Sequence, residues 1–222
     1  MPPPPSGLCS RVGSFPSILS TTLYLNKNDL EVTKMSNEES TEENPSLSPP
    51  TIKEIFRMAA ENSYGNRLVE NRYRGLVAEI IVCAALGPEW RLCSGDWSGW
   101  DLEHLTGCRL DVKQSAAQQT WAPPKKPSST RFDIRERSGY FEEASKRTLR
   151  TGRPAHIYVF AYHPVTDDNA DHRDASQWQF HVAAAHRLPA SQSISLEKVN
   201  SLFESVPWTD LKIVVERTRT AL

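Results

Sequence analysis

The stretch Asp101-Leu102-Glu103-His104-Leu105-Thr106-Gly107-Cys108-Arg109-Leu110-Asp111-Val112-Lys113-Gln114-Ser115 decides how this chain is read. Trp100–Leu105 and Cys108–Ser115 have the character of strands, and Thr106-Gly107 between them is a turn signal, so the stretch predicts a β-hairpin. Strand side chains alternate, which puts Asp111 and Lys113 on one face about 7 Å apart along the chain. Leu110 and Val112 then point the other way, toward a core. A carboxylate beside an ammonium is what metal-assisted phosphodiester cleavage needs: the acid holds a hard cation such as Mg²⁺, with Mn²⁺ as a substitute. The lysine places or deprotonates the attacking water, or steadies charge on the phosphate.

One carboxylate is too few for that task, and Asp101 at the start of the preceding strand is the expected partner. With a two-residue turn at Thr106-Gly107, Asp101 would face Val112. A three-residue turn or a bulge would set it opposite Asp111. Glu79 is a third candidate, because it falls at the edge of a helical apolar stripe where an acid is unusual without a partner; Arg72 and Arg109 are the plain alternatives for it. The tripeptide alone is weak, since Asp210-Leu211-Lys212 repeats it without a hairpin before it.

Outward from the hairpin, Val69, Tyr73, Leu76, Val77, Ile80, Cys83 and Ala84 form a stripe at helical spacing, predicting a helix over about Asn66–Leu86 that Gly87-Pro88 ends. A shorter helix is expected over Thr51–Asn62, with Ile52, Ile55, Phe56 and Ala59 on one side. Trp90–Cys93 reads as a first strand. Downstream, a loop at residues 123–129 precedes an expected helix near Tyr140–Arg150. The apolar run Ala155–Tyr162 reads as a strand buried on both faces. Gln177–Val182 reads as a half-buried strand, Ser195–Glu204 as a helix and Leu211–Val215 as a last strand. The order is an α/β or α+β mixed-sheet domain.

Residues 66–162 resemble the PD-(D/E)XK, or restriction-endonuclease-like, nuclease superfamily. Asp111-Val112-Lys113-Gln114-Ser115-Ala116-Ala117, with Trp121 and Phe132 downstream, is similar to an uncharacterised bacterial branch of it. The resemblance implies a core of helix, three-stranded meander, helix and strand, here followed by a C-terminal extension. It implies a Mg²⁺-dependent nuclease, on DNA before RNA, leaving 5′-phosphate and 3′-hydroxyl ends. Asp101 and Asp111 would be metal ligands, helped by the Val112 carbonyl. Lys113 would be the catalytic lysine and Glu79 the acid of the first core helix. Two departures are Trp100 where proline is usual before the first Asp, and Asp111 where Glu is commoner. The rival reading is a non-catalytic or partner-dependent nucleic-acid-binding or interaction module on the same fold.

The chain of 222 residues carries a formal net charge of −1, which excludes a generally basic binder but not a local basic groove. Arg109–Arg153 holds eleven basic and five acidic residues, a local net of +6. Phosphate contacts come mainly from Lys and Arg, so a nucleic-acid backbone is expected there, with Gln114, Ser115, Lys125, Lys126 and Arg131 as contact candidates. Trp97, Trp100 and Trp121 are candidate stacking platforms, though tryptophans in such positions are more often core.

Residues 1–50 hold eight of the sixteen prolines and an acidic run, which predicts a disordered tail ahead of a domain over residues 51–222. Met35 opens a polar leader and is the expected translation start. No stretch approaches the ~18 apolar residues of a membrane span, and no secretory signal is apparent. Cys9, Cys83, Cys93 and Cys108 lack paired spacing and read as free thiols, with zinc ligation beside His104 as the sharper alternative. His104, His156, His163 and His181 read as structural. The expected setting is the cytoplasm, the expected partner nucleic acid and not a membrane, with a homodimer or a partner protein open.

Overall fold

The computed structural model describes residues 49–93, 98–121, 130–143, 146–148 and 151–222, of which the side chains of residues 140–147 are not described. The expected tail, Trp97, Lys125 and Lys126 lie outside the described residues. The hairpin formed as its turn signal predicts, and the sheet is built around it. Strand β1 (Trp90–Leu92), β2 (Leu102–His104) and β3 (Arg109–Ala116) make an antiparallel meander. β7 (Ile157–His163) then pairs parallel to β3, and β8 (Gln179–Ala184) closes the sheet antiparallel to β7. The result is a five-stranded mixed sheet in the order β1-β2-β3-β7-β8, in a mixed α/β fold.

Two helices cover one face. In α2 (Asn71–Leu86), Ala78, Ile81, Val82 and Leu86 pack with Leu110, Val112, Val159 and Phe180, and α4 (Trp208–Thr220) adds Leu211 and Val215. The Trp208 indole donates to the Ile81 carbonyl at 2.9 Å, tying the two helices together. The other face is covered by a smaller ladder of β4 (Arg131–Asp133) and β9 (Ser193–Ser195) and by α3 (Leu196–Leu202), around Trp100, Phe132, Tyr158, Phe160, Ile194 and Val199. Ser195 caps α3, its hydroxyl accepting the Lys198 N–H at 3.2 Å.

Four expectations are corrected. The Tyr140–Arg150 segment is no helix: β5 (Tyr140–Glu143) and β6 (Lys146–Thr148) pair as a hairpin, since Tyr140, Phe141 and Thr148 are strand formers that find cross-strand partners. The described part of the crossover from β3 to β7 therefore runs through β4 and this hairpin. Leu211–Val215 is not a strand but lies inside α4, where Leu211 and Val215 are one turn apart on the buried side. The long helix begins at Asn71 rather than near Asn66, with Glu70 as its cap. Its buried face is also rotated from the expected stripe: Leu76 and Ile80 stay exposed while Arg74 is taken inside.

α1 (Ile52–Tyr64) opens on a capping box between Thr51 and Glu54, and none of its residues is buried. Ile52 is 90% and Phe56 75% exposed, so its apolar side stays open among the described residues. Among the described residues no helix is long and apolar enough to cross a membrane.

Candidate active site

The turn of the β2–β3 hairpin decides the site. His104 N–H donates to the Cys108 carbonyl at 2.8 Å, so three residues, Leu105, Thr106 and Gly107, form the loop, and Gly107 takes the left-handed φ of 82° that a side chain would resist. The register is Leu102 opposite Leu110 and Glu103 opposite Arg109. One step on, that register sets Asp101 opposite Asp111, the second of the two arrangements the sequence allows.

β2 ends there, and the lateral bonding groups of β3 lose their strand partner. Asp101 supplies the substitute: its Oδ2 accepts the Val112 N–H at 2.7 Å. Alternation puts the Val112 carbonyl on that same open side. Asp111 is 4% exposed and lies on the sheet face opposite α2. The Lys113 ammonium sits 2.5 Å from its Oδ1, and the lysine side chain, 20% exposed, is the pair's outlet to solvent.

Electrostatics sharpen this picture. The Asp101 carboxyl is pushed up to about 8, first by burial, then by the negative charges of Asp111 and Glu79; the Val112 N–H and Lys113 oppose the rise. Glu79 thus stands within charge range of Asp101 although it belongs to a helix on the other face. Arg72 pairs with Glu70 at 2.8 Å, and the Arg109 guanidinium lies 3.9 Å over the Trp100 ring.

Do these residues suit a divalent cation? Burial and the neighbouring charges of Asp111 and Glu79 keep a proton on Asp101, a proton that a hard cation would displace, and carboxylate and carbonyl oxygens are the donors Mg²⁺ prefers. As they stand, no three His, Cys, Asp or Glu side chains among the described residues form a ready metal-holding array. Asp101, Asp111 and the Val112 carbonyl are the donors, and Glu79 adds charge nearby.

Other expected site residues fall differently. Gln114 does not face the acids: its Oε1 accepts Arg74 Nε at 2.7 Å on the α2 side, because alternation turns it there. Ser115 is half-buried on the Asp111 face. Arg131 is exposed and donates to the Ser193 hydroxyl at 3.0 Å. Trp100 is core rather than platform, while Trp121 is 53% exposed. Cys83, Cys93 and Cys108 are free thiols. His104 Nδ1 accepts the Thr106 N–H at 3.1 Å, consistent with a structural histidine.

Two features of the site region escaped the sequence. Tyr158 pairs in register with Asp111, and its ring centroid lies 6.0 Å from Lys113 Nζ. Burial and Asp111 raise its phenol, so it stays a hydrogen donor. It was hidden in an apolar run that reads as core. Arg74, 2% exposed, sends three donors to neutral amides: Gln114, Gln119 at 2.8 Å and Asn71 at 2.8 Å. Burial pulls it down to about 10. An Arg one turn before Ala78 was its only signal. No family model matches the chain, and no curated protein matches it.

Proposed function

We propose that the protein is a Mg²⁺-dependent nuclease hydrolysing phosphodiester bonds, DNA before RNA. The observation that carries this reading is Asp101 set opposite buried Asp111, with Lys113 on Asp111 and the charge of Glu79 within range of Asp101. A purely structural ion pair has no need of a second buried acid, since like charges in a desolvated place cost free energy. The antiparallel meander followed by a parallel β7 supports the resemblance; a crossover whose described part holds a hairpin and no helix departs from it.

When bound, Mg²⁺ would polarise the phosphate and acidify water. Asp101, Asp111 and the Val112 carbonyl would hold it. Lys113, the cation of the set, would meet the phosphate: it leaves Asp111, orients the water and stabilises the developing charge. Tyr158 flanks the lysine, its ring centroid 6.0 Å from the ammonium. Asp101, protonated near neutral pH without a cation, gives up its proton to bind one.

The test is a metal-titrated cleavage panel on plasmid, single-stranded DNA and RNA, with wild type beside Lys113→Ala. Metal-dependent cleavage that the variant loses supports the reading; no cleavage of any substrate with Mg²⁺ or Mn²⁺ refutes it. Calorimetry separates the rival, since a binding module would take DNA without taking metal.

A further inference from the structure

Beside the candidate site, β4 and the approach to β9 enclose a cleft of about 380 Å³, lined by Arg135, Glu136, Arg153, Ala190, Ser191 and Gln192. Its walls are tied by backbone bonds. Ile134 N–H donates to the Gln192 carbonyl at 3.0 Å, and Arg137 and Gly152 exchange two bonds of 2.9 and 3.0 Å. Arg153 is pinned across it, with Nε on the Ile134 carbonyl at 2.8 Å and Nη2 on the Pro189 carbonyl at 2.6 Å. Arg135 is held by Asp133 at 2.9 Å. Two guanidinium groups already fixed in place lose little freedom on meeting a ligand, and their positive charge attracts a phosphate.

The cleft also adjoins the sheet face that carries Asp111 and Lys113. Phe132 and Ile134, whose carbonyl holds Arg153, share a core with Tyr158 and Phe160, which pair in register with Asp111 and Lys113, and the Phe132 and Phe160 rings lie 5.1 Å apart.

We propose that this cleft binds one nucleotide unit of a nucleic-acid strand next to the bond at Lys113, with its phosphate on Arg135 and Arg153 and its sugar or base edge toward Glu136 and Gln192. The proposal rests on the nuclease reading of the site and names where the strand lies. The mixed lining selects the ligand class. A bare inorganic anion would meet the Glu136 carboxylate as a repulsion. A nucleotide carries an anionic end for the arginines and, at the other end, hydroxyl or amino donors for a carboxylate and an amide. The volume suits a small-molecule-sized unit, so a single strand fits where a duplex would not. Among the described residues that line it there is no aromatic ring, so there attraction to the phosphate dominates.

The experiment uses the full chain as Lys113→Ala in EDTA, to suppress cleavage, with fluorescein-labelled oligothymidylate, oligouridylate and a DNA duplex followed by anisotropy. Adding Arg135→Gln should weaken single-strand binding by about tenfold and lower the slope of log K against log salt by about one, while Arg135→Lys, which keeps the charge and controls for folding, restores most of it. Unchanged binding in Arg135→Gln, stronger binding of duplex than strand, or no binding by the Lys113→Ala protein overturns the proposal. Cleavage by wild type separates the two readings. If wild type cleaves and Arg135→Gln leaves KM unmoved, the cleft proposal falls and the nuclease stands. If nothing cleaves but strand binding depends on Arg135, the cleft stands and the catalytic reading falls.

Discussion

Strand β3 carries two buried charge clusters on opposite faces, and they are built on opposite plans. On the Asp111 side, acids outnumber cations and Asp101 is pushed up to about 8 by its neighbours. On the Gln114 side, one guanidinium is held by three amides, and no carboxylate among the described residues pairs with it. The neighbouring rings of His163 and His172 lie 4.9 Å apart, both buried and both held below the usual histidine range, His172 down to about 4. The second cluster is tied through one ring nitrogen of each histidine: His172 Nδ1 accepts the Val69 N–H at 3.0 Å, and His163 Nε2 bonds the Gln177 side chain at 3.0 Å, while His163 Nδ1 is buried without a hydrogen bond among the described residues. In the first, Asp101 keeps its proton against the charges of Asp111 and Glu79. A guanidinium held by neutral amides is a clamp; a carboxyl kept protonated by neighbouring acids has a proton to exchange for a cation.

Breaking each cluster should therefore give different losses. Asp111→Ala or Lys113→Ala should lower the rate of Mg²⁺-dependent cleavage by about 10²-fold or more while the thermal melt stays cooperative, checked by single-turnover kinetics. Arg74→Met should act on stability first: it strands three amide groups, and a lost buried partner costs about 1–3 kcal/mol, read as a lower urea midpoint. The two histidines sharpen the contrast through pH. Their folded-state affinity for protons lies below the unfolded one, so their contribution is present above about pH 6.5 and is lost as pH falls toward the His172 value near 4. Acid melts should show that loss, and Arg74→Met should lessen it because the nearby positive charge is gone.

The smallest effect has the opposite sign. Asp101 holds its proton more tightly folded than unfolded, so its contribution is full below about pH 3.8 and disappears as pH rises through about 8. In EDTA at pH 8, Asp101→Asn should raise Tm by about 2–4 °C, the worth of 1 kcal/mol in a domain of this size. The same variant should bind Mg²⁺ more weakly by calorimetry.

The hairpin, the parallel β7 and the pairing of Asp101 with Asp111 and Lys113 were close to legible, because alternation and a turn signal are local properties. The register was not, since two turn lengths were equally compatible with Thr106-Gly107. What failed depended on tertiary contact. Leu211-Lys212-Ile213-Val214-Val215 looks like a strand until α2 offers a surface on which only Leu211 and Val215 need burial. The face of α2 was misjudged because Arg74 counts as polar in any pattern, yet Gln114, Gln119 and Asn71 make its burial tolerable. Gln114 looked like a companion of Lys113 for the same reason: its partner lies forty residues earlier.

The three-residue loop at Leu105–Gly107 acts as a ruler for chemistry it never touches. All three residues are exposed, and the side chain could be exchanged at Leu105 with little harm. Adding or deleting a single residue is another matter: it would slide β2 by one position, turn Asp101 to the wrong face and leave the Val112 N–H without its acceptor. The most accessible tip of this hairpin is thus permissive to spelling and strict about length.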